Sequence, residues 1–228
     1  GRIFVVGSDP GFLSNEVTFI QVRELYDPRL NPAANIISKL LAAAKNGLGE
    51  NFLLMNDDFV VLKPTEASEV PVVHKGKFSD YDQKYFSSGN YRLRMRKTFE
   101  ILKQRKLPDY NFGVHVPMPI NTKKMLRMLN SIDWKSGVGI SFRTVYGNLH
   151  CATGPMKQVK DPNVNSHHTE KQLAERFKNE PFMSYNDRGL NRSLRRFLEQ
   201  QLPEKHKYAV GKLPSIPKRE VNHKRILR

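Results

Sequence analysis

Cysteine is all but absent from this chain: Cys151 is the only one. That excludes an intramolecular disulfide framework and a cysteine-based zinc site. Long apolar runs are missing as well, and no stretch approaches the roughly 18–20 residues that a membrane-spanning helix needs. The sequence opens on Gly1 rather than Met, and no signal-peptide pattern follows it. The compartment expected from these features is the cytoplasm. Acidic residues are the third scarcity. Asp and Glu number 22 against 38 Lys and Arg, a formal charge of +16. This imbalance predicts attraction to a polyanion: nucleic acid, a nucleotide-bearing substrate, a phosphorylated glycan or an anionic membrane surface. A merely solubilising basic surface is the weaker account of so large an excess. No internal repeat is present, and 228 residues at 39% hydrophobic can bury a core as one large domain or one with a small annex.

What is present is organised around Phe52–Leu62. Two apolar quartets, Phe52-Leu53-Leu54-Met55 and Phe59-Val60-Val61-Leu62, flank Asn56-Asp57-Asp58. A half-buried strand alternates, whereas a continuous apolar run marks a strand covered on both faces. Burying two carboxylates inside such a run would cost roughly several kcal/mol per unpaired charge. The economical arrangement ends the first strand at Met55 and presents the acids at its carboxyl end, where a divalent cation neutralises them. Oxygen donors of this kind suit Mg²⁺ or Mn²⁺. A hairpin turn is the alternative, because Asn and Asp are turn formers. Tight hairpins usually recruit Gly, however, and none is here.

Short strands are predicted at residues 3–6 and 17–22. Asn31 as N-cap and Pro32 at the first helical position open a helix with Ile36, Ile37, Leu40, Leu41 and Ala44 at helical spacing, closed by Asn46-Gly47. Strand, strand, helix and acidic strand make an α/β pattern. It predicts a mainly parallel sheet containing residues 3–6, 17–22 and 52–55, with helices on both faces and Asp58 at the ligand-binding carboxyl edge. Residues 63–90 are a long polar excursion of the kind that covers active sites. Residues 91–106 follow as a basic helix carrying Arg92, Arg94, Arg96 and Lys97, either a solvated face or a phosphate-contacting surface. Together 63–110 form a lid or insertion on a single domain spanning 1–202. Residues 203–228 are a basic, Pro-containing C-terminal arm.

Residues 111–120 are another apolar strand, interrupted by His115 and bordered by Pro117 and Pro119. A lone histidine in such a setting is usually a structural hydrogen-bonder. Asn121 caps a helix through Met125, Leu126 and Leu129. Arg143 has apolar neighbours and would be expensive to bury unless its planar fork met a carboxylate or phosphate. Residues 154–168 are loop-like, with His167-His168 a possible ligand pair but more often plain loop. After a helix over 170–178, Asn186-Asp187 ends a short apolar strand and precedes a helix over 190–202.

Three of these stretches, in order, resemble the Stealth proteins, the sugar-phosphate transferases of bacterial capsule synthesis and of lysosomal enzyme tagging. More loosely, they resemble GT-A nucleotide-sugar glycosyltransferases. Gly1 through Asn56-Asp57-Asp58 is similar to the family's second conserved region, and His115-Val116-Pro117 through Arg143 to the third. Phe182-Met183-Ser184-Tyr185-Asn186-Asp187 through Leu202-Pro203 is similar to the fourth. The first region has no clear counterpart. Where the family places an acidic residue ahead of Asn-Asp-Asp, this chain has Asn35, followed by Lys39.

The resemblance implies a GT-A-like (Rossmann-like) fold and transfer of a sugar, or of a sugar 1-phosphate, from a nucleotide sugar to a hydroxyl of a polyanionic acceptor. On that basis Asp58, with Asp57 or Asn56 assisting, holds Mn²⁺ or Mg²⁺ on the donor diphosphate. His115 is a metal ligand or a general base. Arg143 clamps phosphate, Asp187 orients donor or acceptor, and Asn56, Asn35 and Lys39 face the donor. Acceptor contacts fall to Arg92, Arg94, Arg96, Lys97 and Tyr85. If the acceptor is modified DNA rather than a phosphorylated glycan, Tyr81, Tyr85 and Phe86 are candidates to stack beside an extruded base. The competing class is a non-enzymatic basic nucleic-acid-binding protein in which the acids are structural.

Overall fold

The computed structural model describes residues 1–82, 86, 89–202 and 208. The first apolar stretches form β1 (Ile3–Gly7) and β2 (Val17–Gln21), paired in parallel with Ile3 opposite Val17. Helix α1 (Pro32–Lys45) begins where the Asn31 side chain accepts from the Ala34 N–H. It stops at Asn46, before Gly47, whose φ of 83° suits a residue without a Cβ. Then come β3 (Asn51–Leu54), β4 (Phe59–Val61), β5 (Val73–His74), α2 (Asn90–Gln104) and β6 (Met118–Asn121). Asn121 caps α3 (Thr122–Asn130) by accepting from Lys124 N–H. The remaining elements are α4 (Phe142–His150), β7 (Lys157–Gln158), β8 (Asn163–Val164), α5 (Glu170–Phe177), β9 (Phe182–Tyr185) and α6 (Arg192–Gln201).

The chain is mixed α/β, but its strands form small sheets rather than one mainly parallel sheet. β1 pairs only with β2, and β3 pairs antiparallel with β6, so residues 52–55 do not share a sheet with residues 3–6. β9 is central to a three-stranded sheet, antiparallel to β4 and parallel to β8. β5 pairs with β7. The strand expected over residues 111–120 shrinks to Met118–Asn121 for a physical reason. Pro117 and Pro119 carry no N–H, and Pro119, opposite Leu53, is tolerated only because this sheet has two strands and hence two edges. Residues 154–168, expected as loop, contribute β7 and β8.

The largest core joins one face of α1 (Ala34, Ile37, Leu40) to Met125, Met128 and Leu129 of α3, and to Val145 and Tyr146 of α4. On α1 and α3 the spacing of three or four residues puts each set on one helical face. A second core lies under the three-stranded sheet, where Val164 and Met183 meet Leu173 and Phe177 of α5 and Leu194 and Phe197 of α6. Val70, Val73, Val114, Val116 and Phe182 fill the space between sheets. The excursion over residues 63–90 is therefore partly packed down. Lys75 N–H donates to the Asn111 carbonyl at 2.8 Å, and Asn111 N–H donates back to Gly76. Of the predicted C-terminal arm, Tyr208 accepts from Ser14 N–H through its carbonyl; the rest of 203–228 lies outside the described residues. No helix among the described residues is long and apolar enough to cross a membrane.

Candidate functional site

Asn56, Asp57 and Asp58 occupy the turn between β3 and β4, closed by Phe59 N–H donating to the Asn56 carbonyl at 3.2 Å. This is not a hairpin, because the two flanking strands pair with different partners, β6 and β9. Nor does Asp58 end a strand; it immediately precedes β4. Its carbonyl accepts from Tyr185 N–H at 3.2 Å, which joins the turn to the end of β9. The two acidic turns therefore lie side by side. Asn56, Asp57, Asp58, Tyr185, Asn186, Asp187 and Arg188 line a cleft of about 620 Å³.

The second turn is braced by Asn186. Its Oδ1 accepts from the N–H groups of Arg188 and Gly189, at 3.0 and 3.1 Å, an Asx turn that leaves Asp187 at the cleft wall. Its N–H donates to the Val164 carbonyl. A Cβ at position 189 would collide with that same carbonyl, so glycine is required for this close approach.

Behind Asp58, the ring of Phe59 meets both Arg143 and His115, none of the three lining the cleft itself. The Arg143 guanidinium lies 5.3 Å over the Phe59 centroid, and the His115 ring meets Phe59 edge-on at 5.9 Å. Arg143 comes from the first turn of α4 and donates through Nη2 to the Val116 carbonyl. Its Nε and Nη1 are buried with no hydrogen-bond partner among the described residues, and the same holds for Asp58 Oδ1. Burial pushes the Asp58 carboxyl above its ordinary value, against the opposing pull of His115 and Arg143. Burial likewise pushes Arg143 down to about 10, with Asp161 and Asp58 acting the other way. At neutral pH Arg143 is still a cation.

His115 is held by a residue that sequence reasoning missed. Asp161 accepts the His115 backbone N–H through Oδ1 at 2.9 Å and meets its Nδ1 through Oδ2 at 2.8 Å. Lys75 reaches the same Oδ2 at 2.5 Å. Burial alone would raise the Asp161 carboxyl, but the His115 hydrogen bond and the Lys75 ammonium outweigh it and hold Asp161 at about 2. One signal could have found it: Asp161 is the sole acid between Asp133 and Glu170 in this basic chain. Tyr185, Asn186 and Arg188 were likewise not singled out as site residues, although they line the cleft.

Other sequence candidates lie elsewhere. Asn35 is buried, and its amide is consumed by one loop: Oδ1 accepts from the Leu25 and Tyr26 N–H groups and Nδ2 donates to the Tyr26 carbonyl. Lys39 pairs with Glu24 at 3.5 Å. Neither lines the cleft. On α2, Arg92 and Arg96 are exposed, whereas Arg94 lies over Tyr91 and Lys97 donates to Ser136 and sits 3.8 Å from Asp133. The aromatics proposed to stack on a base are packed inward. Phe86 is buried and stacks on Phe99, and Tyr81 meets Phe78 edge-on and accepts from Asn111. Apolar burial outweighs solvent exposure for rings of this size. Tyr85 lies outside the described residues. His167 and His168 bring no metal cluster: among the described residues no three His, Cys, Asp or Glu side chains are grouped to hold an ion.

A divalent ion on a nucleotide does not require such a cluster, since Mg²⁺ is commonly held by one or two carboxylates with substrate phosphates and water completing the shell. Asp58, with a buried and unpartnered oxygen beside Asp57, fits that donor set. No family model, curated protein or solved structure matches the chain.

Proposed function

We propose that this chain is a metal-dependent transferase that moves a sugar, or a sugar 1-phosphate, from a nucleotide-sugar donor to a hydroxyl of a polyanionic acceptor in the cytoplasm. The observation that carries this reading is the unsatisfied pair behind the cleft. A buried carboxylate oxygen of Asp58 and two buried guanidinium nitrogens of Arg143 have no partner among the described residues. Buried polar groups are rarely left this way, because each costs about 1–3 kcal/mol. A divalent cation carried on a diphosphate in the cleft would supply a partner for Asp58, with the Arg143 charge behind it. Mg²⁺ or Mn²⁺ held by Asp58 and Asp57 would neutralise the charge that develops on the departing phosphate.

The chain's own residues account for the rest. Arg143, behind the lining residues, supplies a positive charge next to Asp58 that favours a phosphate in the cleft. His115 takes the proton of the acceptor hydroxyl, whose oxygen forms the new bond. In glycosyl transfer that bond is to the anomeric carbon, and the electron pair of the broken bond leaves on a nucleoside diphosphate. In sugar-phosphate transfer it is to phosphorus, and a nucleoside monophosphate leaves. Asp187 and Arg188 on the opposite cleft wall orient the two substrates. The net charge of +16 favours a polyanionic acceptor, and Arg92 and Arg96, the latter 3.8 Å from Glu100, are among the exposed cations of α2 for it.

Incubation with a panel of nucleotide sugars, Mn²⁺, and either duplex DNA or a phosphorylated glycan, followed by analysis of the released nucleotide, tests this reading. Metal-dependent, acceptor-stimulated release of a diphosphate assigns glycosyl transfer, and release of a monophosphate assigns sugar-phosphate transfer. Salt-sensitive nucleic-acid binding with no release under any combination would favour the non-enzymatic alternative.

A further inference from the structure

We infer that Asp161, paired with Lys75, is a positioning residue that fixes the tautomer of His115, leaving Nε2 as its proton-accepting nitrogen. As an account of catalysis this rests on the transferase reading; as a statement about His115 it stands on geometry alone.

Asp161 makes two simultaneous contacts to one residue, Oδ1 to the His115 backbone N–H at 2.9 Å and Oδ2 to Nδ1 at 2.8 Å. The first locks the main chain and the second locks the ring, so both the position and the rotation of the imidazole are determined. An ionised carboxylate can only accept hydrogen bonds. Nδ1 must then carry the proton, and the lone pair of the neutral ring resides on Nε2.

Lys75 pairs with that acceptor. Its ammonium lies 2.5 Å from Oδ2, with both side chains mostly out of solvent. Lys75 is itself anchored: its N–H donates to the Asn111 carbonyl, and β5, just before it, pairs with β7, which precedes Asp161 by only a few residues. Arg176 adds a further brace by donating to the carbonyls of Asp161 and Asn163, at 3.2 and 3.1 Å. Four separate segments thus converge to orient one imidazole, whose ring packs edge-on against Phe59 next to Asp58. A histidine serving only as a core hydrogen-bonder would not need a dedicated ion pair behind it.

The test is an NMR measurement on the full chain labelled with ¹⁵N in histidine, recorded at a pH where the imidazoles are neutral. Two-bond ¹H–¹⁵N correlations report which ring nitrogen carries the proton. His115, assigned by its loss in His115→Gln, is expected as the Nδ1–H form in the wild type. In Asp161→Asn the amide keeps an oxygen for the backbone N–H and turns its NH₂ toward Nδ1, so the Nε2–H form is expected to appear. Lys75→Met retains the Asp161 acceptor and is expected to stay Nδ1–H. Once a donor is identified, Asp161→Asn should lower kcat on the order of 10²–10⁴-fold, the usual contribution of a general base, with KM for the donor little changed. An Nε2–H wild type overturns the proposal even if Asp161→Asn fails to fold. So does an Asp161→Asn protein whose His115 tautomer matches the wild type. Neither result bears on Asp58, so the metal and donor part of the transferase reading would survive them while an Nε2–H wild type would remove His115 as the base; conversely, failure to find any donor leaves the tautomer measurement decisive.

Discussion

The two larger cores of this molecule differ in how far they satisfy their buried polar groups. In the helical core the buried amides that stitch elements together are fully used. Asn148 accepts from the Tyr110 N–H and donates to the carbonyls of Tyr110 and Thr144, at 3.0, 2.7 and 2.9 Å. Asn35 is equally saturated by the loop at Leu25 and Tyr26. Around the three-stranded sheet, by contrast, Asp58 Oδ1, Arg143 Nε and Nη1, Asn163 Oδ1, Ser184 Oγ and Arg195 Nε are buried with no partner among the described residues, against His150 Nε2 alone on the helical side. Polar groups in the first region specify the fold. Those in the second are a cost to it, of the kind that proteins concentrate where a ligand completes the shell.

Substitutions should therefore have opposite signatures in the two regions. The largest effect is expected at the sheet. Asp58→Asn and Arg143→Met should each lower transfer on the order of 10³-fold, the scale of removing one preorganised electrostatic interaction. The thermal midpoint of Asp58→Asn should stay level or rise, since it removes a charge that burial penalises. Arg143→Met should instead lower the midpoint, by leaving the Val116 carbonyl without its donor and depriving Asp58 and Asp161 of a nearby cation. For Asp58→Asn, a drop in midpoint comparable to the truncation of a core residue would break the contrast. In the helical core, Asn148→Ala and Asn35→Ala should do the reverse, each costing about 2–3 kcal/mol by stranding backbone groups. Denaturant midpoints measure this, and transfer per folded molecule should be largely retained.

Acid titration of stability separates the two carboxylates nearest His115. Asp161 is held at about 2, below its ordinary value of 3.8, so it contributes stability above pH 3.8 that disappears as pH falls toward 2. That contribution is about 2 kcal/mol. Asp58 is raised, so the sign is opposite: its penalty is present at neutral pH and is relieved as pH falls through its folded value toward 3.8. Asp161→Asn should remove the acid-labile component, and Asp58→Asn should remove the stabilisation that mild acidification brings. Identical pH profiles for both variants would contradict the assignment of opposite environments.

The smallest effect is expected on α2. Arg92→Ala with Arg96→Ala should change stability by no more than about 0.5 kcal/mol. The log–log salt slope of polyanion binding should fall by about one for each phosphate that the protein no longer neutralises. An unchanged slope would remove α2 from the acceptor surface.

Much of the local structure was legible in the sequence because it is written in adjacent residues. Asn31-Pro32, Asn46-Gly47 and Asn121 mark helix ends through their own side chains or backbone freedom, and the observed caps follow them. The break at Asn56-Asp57-Asp58 was legible as a place where charge interrupts an apolar run. The sheet arrangement was not, because it depends on distant pairings. β3 finds β6 and β4 finds β9 across long separations, and strands of three to five residues carry too little periodicity to name their partners. Local signals could not distinguish a wide parallel sheet from several small ones. Asp161 escaped notice for a related reason: it sits in a stretch without apolar pattern, and only the fold brings it to His115. Asn35 and Lys39 show the converse, residues singled out by resemblance whose side chains are engaged within α1's own neighbourhood.

The central claim, that Asp58 awaits a metal-bound nucleotide, is tested most directly by thermal unfolding of the wild type and Asp58→Asn with a panel of nucleotide sugars. Each donor is measured in Mn²⁺ and in chelator. At 100-fold excess over Kd a cognate donor should stabilise the wild type by about 2.7 kcal/mol, or roughly 5–10 °C for a chain of this size. The shift should vanish in chelator and in Asp58→Asn. A panel in which no donor shifts the wild type in Mn²⁺, or in which Asp58→Asn responds equally, would contradict it.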